Sequence, residues 1–203
     1  MALEHILLGM LRAPASGYDL KAEFAASISH FWAAELSQIY PMLQRLEKRG
    51  LLTSKSEPSD RGPPRKVYSL TKAGRAELRA WLRRPPKINT ERNEWLAQLW
   101  FMDELGDTDR ALTFLAALRG ELALELATLE QIEAQWRGED PRYPDRLPDN
   151  EFFLQLTLAS GLKKGRARIE WADECIARLK ARMRSSVRSS VRSSVRGKKG
   201  RKK

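Results

Sequence analysis

The 203-residue chain has one cysteine, two histidines and no long apolar run, and each of these shortages excludes a class of protein. The single cysteine, Cys175, cannot form an internal disulfide or a cysteine-rich metal site, which favours a reducing compartment such as the cytoplasm. No stretch approaches the roughly 18 consecutive apolar residues of a membrane span, so we expect no membrane association. The apolar first residues lack a leading positive charge, and we interpret them as a structural helix rather than a signal peptide.

Motifs for catalysis are also scarce. His5 and His30 have no carboxylate or cysteine at a ligand or triad spacing in the sequence. The glycine in "DRGPPR" does not belong to a phosphate-binding loop, because no Lys-Ser/Thr pair and no helix signal follow it. We therefore predict that the chain is not an enzyme and that it uses no metal and no cofactor.

Positive charge is distributed unevenly along the chain, whose formal net charge is +11. Residues 1–84 hold 14 Lys and Arg against 8 Asp and Glu, residues 85–181 hold 13 against 18, and residues 182–203 hold 10 against none. A basic part can approach phosphates, whereas an acidic part is better placed facing away from them. We predict a DNA-binding domain at 1–84, a helical domain at 85–183 and a basic tail at 184–203.

The tail contains three RSSV repeats followed by a Lys/Arg run. Arginines four residues apart would repel one another on a helix and serine lowers helix propensity, so we predict disorder in the absence of DNA. Such a segment can add salt-sensitive, non-specific affinity for DNA. A neutral repeat with no function is an equally good interpretation of the tail.

Apolar residues at helical spacing predict two short helices before Ser37, the second of them capped by Ser16 with Asp19 in the capping-box position. A third helix is predicted from its N-cap Ser37 to Gly50, which places Pro41 in the first turn, where a proline costs little. Its buried side would hold Ile39, Leu43 and Leu46. Its other side would expose Gln38, Met42, Arg45 and Arg49, flanked by Gln44 and Lys48.

Glutamine and arginine side chains on a helix can contact adenine and guanine edges in a major groove, although most such faces are merely solvated. Two strand candidates follow, "LLTSKSE" and "RKVYSL", and the turn-rich segment Pro58–Arg65 joins them. A basic hairpin beside an exposed Gln/Arg helix is typical of a winged helix, in which the hairpin touches the DNA backbone. Thr71 is expected to cap a further helix that runs to Arg84.

The pairing of "IYPMLQRLEKRGL" with "RKVYSLTKAG" resembles the winged-helix domain of PadR-family transcriptional regulators, over about residues 2–84. The resemblance implies a homodimer that binds a pseudo-palindromic operator in double-stranded DNA, usually as a repressor. It implies recognition-helix contacts at Ser37, Gln38, Tyr40, Gln44 and Arg45, and wing contacts at Arg61, Arg65 and Lys66. Tyr40 would give its hydroxyl to a phosphate or, with nearly equal justification, be a partly buried core aromatic.

The rest of the chain is predicted to be helical, so the fold class is mainly α: a winged helix followed by an α-helical dimerisation domain. A short helix around Trp95 precedes a long one capped by Asp107 or Thr108, and the last helix starts near Glu151. Both long helices carry apolar seams, which we expect to pair two copies of the chain, the alternative being one intramolecular bundle. The predicted dimerisation residues are Leu115, Leu118, Leu122, Leu126, Leu129, Ile169, Ile176 and Leu179.

The last helix, from "EFFLQLTLASG" to "ECIARL", is similar to the carboxy-terminal domain of the PadR subfamily that includes virulence-gene activators, and Trp171 stands at the pattern's tryptophan. The preceding "WRGEDPRYPDRLPDNE" matches nothing in that pattern, so repression and activation both stay open. Some relatives bind planar aromatic effectors, which Trp95 or Trp100 could stack, although aromatics at helical spacing are more often core. The competing function is a protein-interaction adaptor that keeps the winged helix as a scaffold.

Overall fold

The structure, a computed structural model, describes the backbone of residues 2–28, 31–32, 34–59, 62–88 and 91–199. It describes the side chains of all of these except 26, 59, 62, 63 and 186–199. Contacts between residues divide the chain into two compact units, Met1–Asn89 and Thr90–Lys203. Helices dominate both units, and three strands form one small antiparallel sheet, which confirms the predicted fold class.

The first unit has the element order of a winged helix. Its elements in the described part are α1 (Ala2–Met10), β1 (Ala15–Ser16), α2 (Gly17–Glu23), α3 (Leu36–Lys48), β2 (Leu52–Ser59), β3 (Gly62–Leu70) and α4 (Lys72–Leu82). A π-helical segment, Phe24–Ile28, continues α2. Strand β3 lies between β1 and β2 and pairs antiparallel with each, so β1 ties the start of α2 to the hairpin of β2 and β3.

One apolar cluster holds this unit together. The apolar sides of α1, α2 and α3 meet there, and the bases of the strands close it. The fully buried members are Leu7, Leu8, Leu11, Leu20, Ile39, Leu43, Leu46 and Tyr68. Ile39, Met42, Leu43 and Leu46 are spaced three or four residues apart and give α3 a continuous buried side. Burial of these side chains fixes which side of α3 faces outward.

Helix α3 begins earlier than the sequence predicted. Its N-cap is Glu35 rather than Ser37, which lies one residue inside the helix. Pro41 therefore sits in the second turn and removes one helical hydrogen bond, the bond that the carbonyl of Ser37 would accept. Ser37 is exposed, so water can satisfy that carbonyl, and the loss is small. Gly50 has a φ of 70°, which confirms the left-handed turn predicted after the helix.

The wing also differs from its prediction. The strands include Pro58 and Ser59 at one side and residues from Gly62 onward at the other, so most of the predicted turn-rich segment Pro58–Arg65 is strand, and residues 60–61 lie outside the described part. The pairing shifts register between Glu57 and Ser59, which leaves Pro58 at an irregular position where it need not donate to the ladder. Prolines thus lie at the outer end of the hairpin without ending it.

The second unit is helical throughout its described part. Helix α5 (Glu94–Trp100) leads into a 3₁₀ turn (Met102–Leu105), and two long helices follow, α6 (Thr108–Glu139) and α7 (Asp149–Lys199). The carboxylate of Asp107 accepts the N–H of Arg110 at 3.0 Å, which confirms one of the two predicted caps of α6. Both long helices were expected, and the irregular segment 140–148 separates them where the sequence has its prolines.

Helices α6 and α7 pack on each other as an antiparallel pair within one chain. The ion pair of Arg119 with Asp173 and that of Arg166 with Glu130 fix the direction, because a higher residue number on α6 meets a lower one on α7. The apolar centre contains Leu126 and Leu129 of α6 with Leu158 and Leu162 of α7. Much of the apolar seam predicted from the sequence is therefore covered inside the chain.

The backbone of α7 is helical to Lys199, so the helix includes most of the segment predicted as a basic tail, and the last four residues lie outside the described part. Adding a turn to an existing helix avoids the unfavourable nucleation step, so serine and like charge oppose the helix less here than in isolation. Within the described residues, no helix has an apolar stretch long enough to cross a membrane.

Candidate nucleic-acid interface

The outward side of α3 is polar and accessible. Ser37, Gln38, Gln44 and Arg45 are exposed, while Ile39, Leu43 and Leu46 are completely buried on the opposite side. The prediction that Met42 faces outward is wrong. Only 6% of its surface is accessible, and the side chain packs in the core. The helix therefore presents a narrower polar strip than expected, and hydrogen-bonding amide and guanidinium groups occupy it.

Gln38 also stabilises the beginning of α3. Its Oε1 accepts the backbone N–H of Glu35 at 3.2 Å, so the amide oxygen is partly used within the protein. The amide NH₂ group keeps two donors, which can still reach a partner. The carboxylate of Glu35 pairs with Nζ of Lys21 at 2.6 Å, and this contact ties α2 to the start of α3.

Tyr40 lies on the surface rather than in the core. Its exposed fraction is 41%, and its ring rests against the backbone of Gly17, at the first residue of α2. A Cβ at position 17 would come within 2.5 Å of that ring, so the close approach depends on a glycine there. Tyr18, whose exposed fraction is 71%, follows directly in the chain. Sequence reasoning missed Gly17 and Tyr18, although the "SGYD" capping segment could have pointed to them.

Arg65 stands on the wing among carboxylates. Its guanidinium lies 3.6 Å from Glu57 across the hairpin and 4.0 Å from Asp19 in α2. The backbone N–H and the hydroxyl of Ser16 donate to Asp19 and hold the pKa of that carboxyl below its usual value, and Arg65 lowers the same pKa further. About half of the Arg65 side chain stays exposed, so the guanidinium can exchange these loose partners for a phosphate.

Lys66 is engaged inside the protein more firmly than Arg65. Its Nζ lies 2.6 Å from Oε2 of Glu47, near the end of α3, and stands 5.2 Å from the centre of the Tyr68 ring. Ser54 donates its hydroxyl to the other oxygen of Glu47. The hydrogen bonds from Lys66 and Ser54 lower the pKa of Glu47, and the same carboxylate raises the pKa of Lys66. This contact joins the wing to α3, and sequence reasoning missed Glu47.

Of the eight predicted DNA contacts, the structure brings five onto α3 and two, Arg65 and Lys66, onto β3. Arg61 lies outside the described residues. Helix α3 and the hairpin are adjacent elements, linked by the contact of Glu47 with Lys66, so the seven described side chains belong to one connected part of the unit. None of these placements tests whether the side chains touch DNA, and that role stays a prediction.

A second polar group joins α1, α3 and α4. His5 and Glu4 are buried, Nε2 of His5 lies 3.0 Å from Glu77, and the imidazole stacks on Trp81 with ring centres 5.0 Å apart. Ligand atoms of Glu4, His5 and Glu77 fall within 4.8 Å of one another, a spacing that a metal ion could use. Arginines already neutralise both carboxylates, however: Arg49 pairs with Glu4, and Arg84 lies 3.6 Å from Glu77. We interpret the group as a structural link rather than a metal centre.

In the second unit, the predicted dimerisation residues lie on α6 and α7. Leu115, Leu122, Leu126 and Leu129 are already buried within one chain, and Leu118, Ile169, Ile176 and Leu179 are partly buried. Large apolar side chains are exposed elsewhere in the unit. Leu96, Trp100, Phe101 and Leu105 lie between the start of α5 and the end of the 3₁₀ turn, Leu124 lies on α6, and Phe153 and Leu156 lie on α7. The seam alone therefore does not mark the outer surface of the unit.

The two tryptophans proposed for effector binding have different surroundings. Trp95 packs against Trp171 with ring centres 5.6 Å apart, and the guanidinium of Arg168 lies 5.9 Å from the centre of its ring. Trp100, five residues later, is 81% exposed. Trp95 therefore helps to join α5 to α7, whereas Trp100 has its ring available to a partner.

Comparison with known families gives two matches that together span most of the chain. Residues 6–80 match the model of the Transcriptional regulator PadR-like family. Residues 91–180 match the family described as Virulence activator alpha C-term. The first match covers the winged helix and the second covers most of the helical unit, including the segment 140–148 that the sequence pattern alone did not align.

Three relatives are similar over nearly their whole length. "Probable transcriptional regulator Rv1176c" of Mycobacterium tuberculosis is 30% identical over 190 residues, 89% of this chain and 98% of the relative. The crystal structure of Bacillus subtilis PadR with operator DNA has a TM-score of 0.74 and 26% identity, covering 88% of this chain and 99% of the other. The Vibrio cholerae virulence activator AphA has a TM-score of 0.69 and 34% identity, with coverage of 88% and 98%.

Bacillus subtilis PadR has also been crystallised with p-coumaric acid. That structure has a TM-score of 0.68 and 27% identity to this chain, and the alignment covers 88% of this chain and 95% of the other. One relative is thus known both with operator DNA and with a small aromatic acid.

Proposed function

This chain belongs to the PadR-like family of transcriptional regulators, and on that basis we propose that it represses transcription as a homodimer bound to a pseudo-palindromic operator in the cytoplasm. A small aromatic effector would release it from the DNA. In this proposal, residues 1–84 bind DNA and residues 85–183 form the dimer. No catalytic step is needed for any of this.

The observation that carries the proposal is the exposed polar strip on α3, held outward by a fully buried apolar side. Gln44 and Arg45 on this strip can make the bidentate contacts that distinguish adenine and guanine in a major groove. Bacillus subtilis PadR, which shares the fold, is known in complex with operator DNA. Helix α3 therefore carries the chemical groups that base recognition needs, and a relative with the same fold binds operator DNA.

The wing would contribute phosphate contacts beside the groove. Arg65 is suited to this role because its carboxylate neighbours are 3.6 and 4.0 Å away and half of its side chain is exposed. Arg61 is proposed for the same role from its sequence position. Lys66 would act chiefly by holding the wing against Glu47, and any contact that it makes with phosphate would require it to leave that carboxylate.

The sign of regulation is proposed from the family and from one relative. The protein "Negative transcriptional regulator PadR" of Bacillus subtilis is 28% identical to this chain, which supports repression. AphA, whose name states that it activates virulence, is similar over the same length. A reporter gene under the selected operator would decide the sign, since repression predicts higher expression when the regulator is deleted.

Homodimerisation is supported by the apolar surface of the helical unit. Four large apolar side chains on α5 and the 3₁₀ turn are exposed, and soluble proteins seldom leave such patches uncovered. A two-fold dimer would place the two recognition helices on half-sites about one helical turn, or a small multiple, apart. The partly buried seam residues of α6 and α7 would extend the same interface.

An aromatic effector is proposed because a relative binds p-coumaric acid. Of the two tryptophans predicted for this task, Trp95 already packs against Trp171 within the unit, and Trp100 lies on the exposed surface proposed above for the dimer interface, so an effector that stacks on Trp100 would do so at that interface. Loss of operator binding on addition of such an acid would support effector control.

Selection of bound sequences from random double-stranded DNA tests the core of the proposal. The full chain is used at moderate salt with an excess of non-specific competitor, so that the basic tail does not dominate binding. An inverted repeat with a fixed half-site spacing is expected. Recovery of sequences with no common motif would reject sequence-specific readout, and a single unrepeated motif would reject the two-fold dimer.

A further inference from the structure

Helix α7 continues well past the start of α6. Because Arg119 pairs with Asp173, the first residue of α6, Thr108, lies opposite roughly residue 184 of α7. The backbone of α7 stays helical to Lys199, which adds about 20 Å of helix beyond that point. We call residues 184–199 the α7 extension. Helix α6 does not run alongside it, and neither the winged helix nor the segment proposed for dimerisation includes it.

In the sequence, the charge of the α7 extension is entirely positive. Four arginines recur at every fourth residue, two lysines follow, and no acidic residue is present: Arg184, Arg188, Arg192, Arg196, Lys198 and Lys199. The last acidic residue before them is Glu174, ten residues earlier than Arg184, or about 15 Å along the helix. Earlier on α7, by contrast, Arg166 pairs with Glu130 of α6. The extension therefore has no carboxylate on its own helix within reach, and it attracts partners that carry several negative charges.

The four-residue repeat gives these charges a regular spacing. Each RSSV unit advances the helix by about 6 Å and turns it by about 40° more than one full turn. The Cα atoms of the four arginines therefore follow one line that winds slowly around the helix, about 18 Å from first to last. Phosphates in one strand of duplex DNA recur about every 3.4 Å along its axis, so each repeat spans about two of them. A helix that lies along the DNA backbone brings one guanidinium to every second phosphate.

The uncharged residues of the α7 extension select among anionic partners. Only serine and valine stand between its arginines. An amphipathic helix that binds a lipid surface needs large apolar or aromatic side chains, and proteins that bind single-stranded nucleic acid stack its bases on aromatic rings. The extension has neither kind of residue. Serine hydroxyls and guanidinium groups both donate hydrogen bonds to phosphate oxygens, so this composition favours the phosphate backbone of a duplex.

We propose that the α7 extension is a second DNA-binding element, which contacts the phosphates of duplex DNA and reads no sequence. Arginines four residues apart repel one another on a free helix, and DNA phosphates neutralise that repulsion, so binding also stabilises the helix. This role does not depend on base recognition by α3, on repression or on an effector. It adds affinity for any duplex to the affinity that the winged helix has for its operator.

Titration of the full chain with a random-sequence duplex, repeated at several salt concentrations, tests this directly. The test variant carries Arg188→Gln, Arg192→Gln and Arg196→Gln together. Each phosphate contact contributes about 0.9 to the slope of log affinity against log salt concentration, so the slope should fall by about 2–3. The affinity at low salt should fall at least about tenfold. An unchanged slope and affinity would overturn the proposal.

The matched control removes three charges from α7 before the extension, by Lys163→Gln, Arg178→Gln and Lys180→Gln. All three side chains are exposed, and the two triple variants have the same net charge. The control is expected to lose less than about twofold in affinity, because only the position of the removed charges differs. Equal losses in the two variants would mean that total charge, rather than the α7 extension, attracts the duplex.

Hydrogen exchange of the full chain locates the contact. Amide exchange within residues 184–199 is expected to slow when the random duplex is added, because phosphate contacts stabilise the helix there. Unchanged exchange would show that the extension does not touch the duplex. Single-stranded DNA and vesicles of phosphatidylglycerol serve as the competing partners. Equal or greater protection by either of them would overturn the choice of duplex DNA.

Operator selection is carried out separately, so this proposal and the proposed repressor function can fail independently. If no operator is selected but the extension variant loses affinity for the random duplex, sequence-specific repression is wrong and the α7 extension keeps its role. If an operator is selected and the extension variant binds the random duplex as tightly as the unchanged chain, the repressor function stands and the role of the extension is wrong.

Discussion

At the scale of single residues, the polar strip on α3 makes the sharpest prediction. Gln44→Ala or Arg45→Ala is expected to weaken operator binding by about 1–3 kcal/mol, because each removes a proposed base contact, while affinity for random DNA stays nearly constant. Titration of both DNAs by fluorescence anisotropy measures the difference. Gln131→Ala, an exposed change on α6, serves as the control. Equal losses on both DNAs would show that these side chains contact only the backbone.

The contact of Glu47 with Lys66 predicts a dependence of stability on pH. Hydrogen bonds lower the pKa of Glu47 in the folded protein, so its ionised form stabilises the fold at neutral pH. This contribution is present above the pKa of the unfolded chain and is lost as the pH falls through the lower, folded pKa. Thermal unfolding between neutral pH and pH 3 should therefore show a smaller loss of stability in Glu47→Gln than in the unchanged protein. Parallel curves would contradict the role of this carboxylate.

Single residues were predictable from the sequence where helical periodicity decides them. The spacing of Ile39, Leu43 and Leu46 placed Gln44 and Arg45 outside correctly. Met42 was misplaced because it lies at the edge of the buried side, where periodicity cannot choose and packing of a long apolar side chain decides. The pairing of Lys66 with Glu47 was also beyond the sequence, since these residues meet only after the hairpin folds back toward α3.

At the scale of elements, the start of α4 depends on a glycine. A Cβ at Gly74 would lie 2.1 Å from the carbonyl oxygen of Leu51, a backbone atom that cannot move aside freely. Gly74→Ala is therefore expected to destabilise the winged helix by at least about 2 kcal/mol. Gly120→Ala, in the middle of α6 with open space around it, should leave stability unchanged or raise it by up to about 1 kcal/mol.

Denaturant unfolding of the two variants measures both effects. The pair is informative because each substitution adds one methyl group to a helix and only the surroundings differ. A destabilisation of similar size in both variants would mean that the contact between α4 and the Leu51 carbonyl is not as close as described.

The existence and order of the elements followed from the sequence better than their ends did. Ser37 is a good capping residue in isolation, yet Glu35 begins α3 because Gln38 returns a hydrogen bond to its N–H. The hairpin likewise extends through Pro58, because a shift in pairing accommodates a residue without an N–H. The ends of helices and strands depend on hydrogen bonds and pairing between particular residues, and sequence patterns alone do not determine these contacts.

At the scale of the whole molecule, the exposed apolar surface of α5 and the 3₁₀ turn predicts self-association. Trp100→Glu is expected to convert the proposed dimer to a monomer, or to raise its dissociation constant at least about tenfold, because a charge would be buried in the proposed interface. Sedimentation velocity over a range of concentrations measures this. Phe153→Glu, on the exposed side of α7, is the comparison that shows whether the effect is specific to α5. An unchanged dimer in Trp100→Glu would move the interface elsewhere.

The sequence predicted apolar seams on both long helices but could not say what covers them. Leu122 and Leu126 satisfy a dimer seam and an intrachain pair equally well, since periodicity is the same in both. The ion pair of Arg119 with Asp173 settles the intrachain packing, and it joins residues more than fifty positions apart. The oligomeric state therefore has to be read from the apolar groups that remain exposed.

Helix α7 is much longer than its neighbour, and this has a consequence for ionic strength. Because Arg119 pairs with Asp173, the start of α6 lies opposite roughly residue 184 of α7. About 20 Å of α7 therefore extends beyond the start of α6. In the sequence, residues 184–199 carry arginine and lysine but no acidic residue. Repulsion between these positive charges is strongest in dilute buffer, so we expect the segment to lose helical structure there. Salt screens the repulsion and a polyanion neutralises it, so either should stabilise the helix.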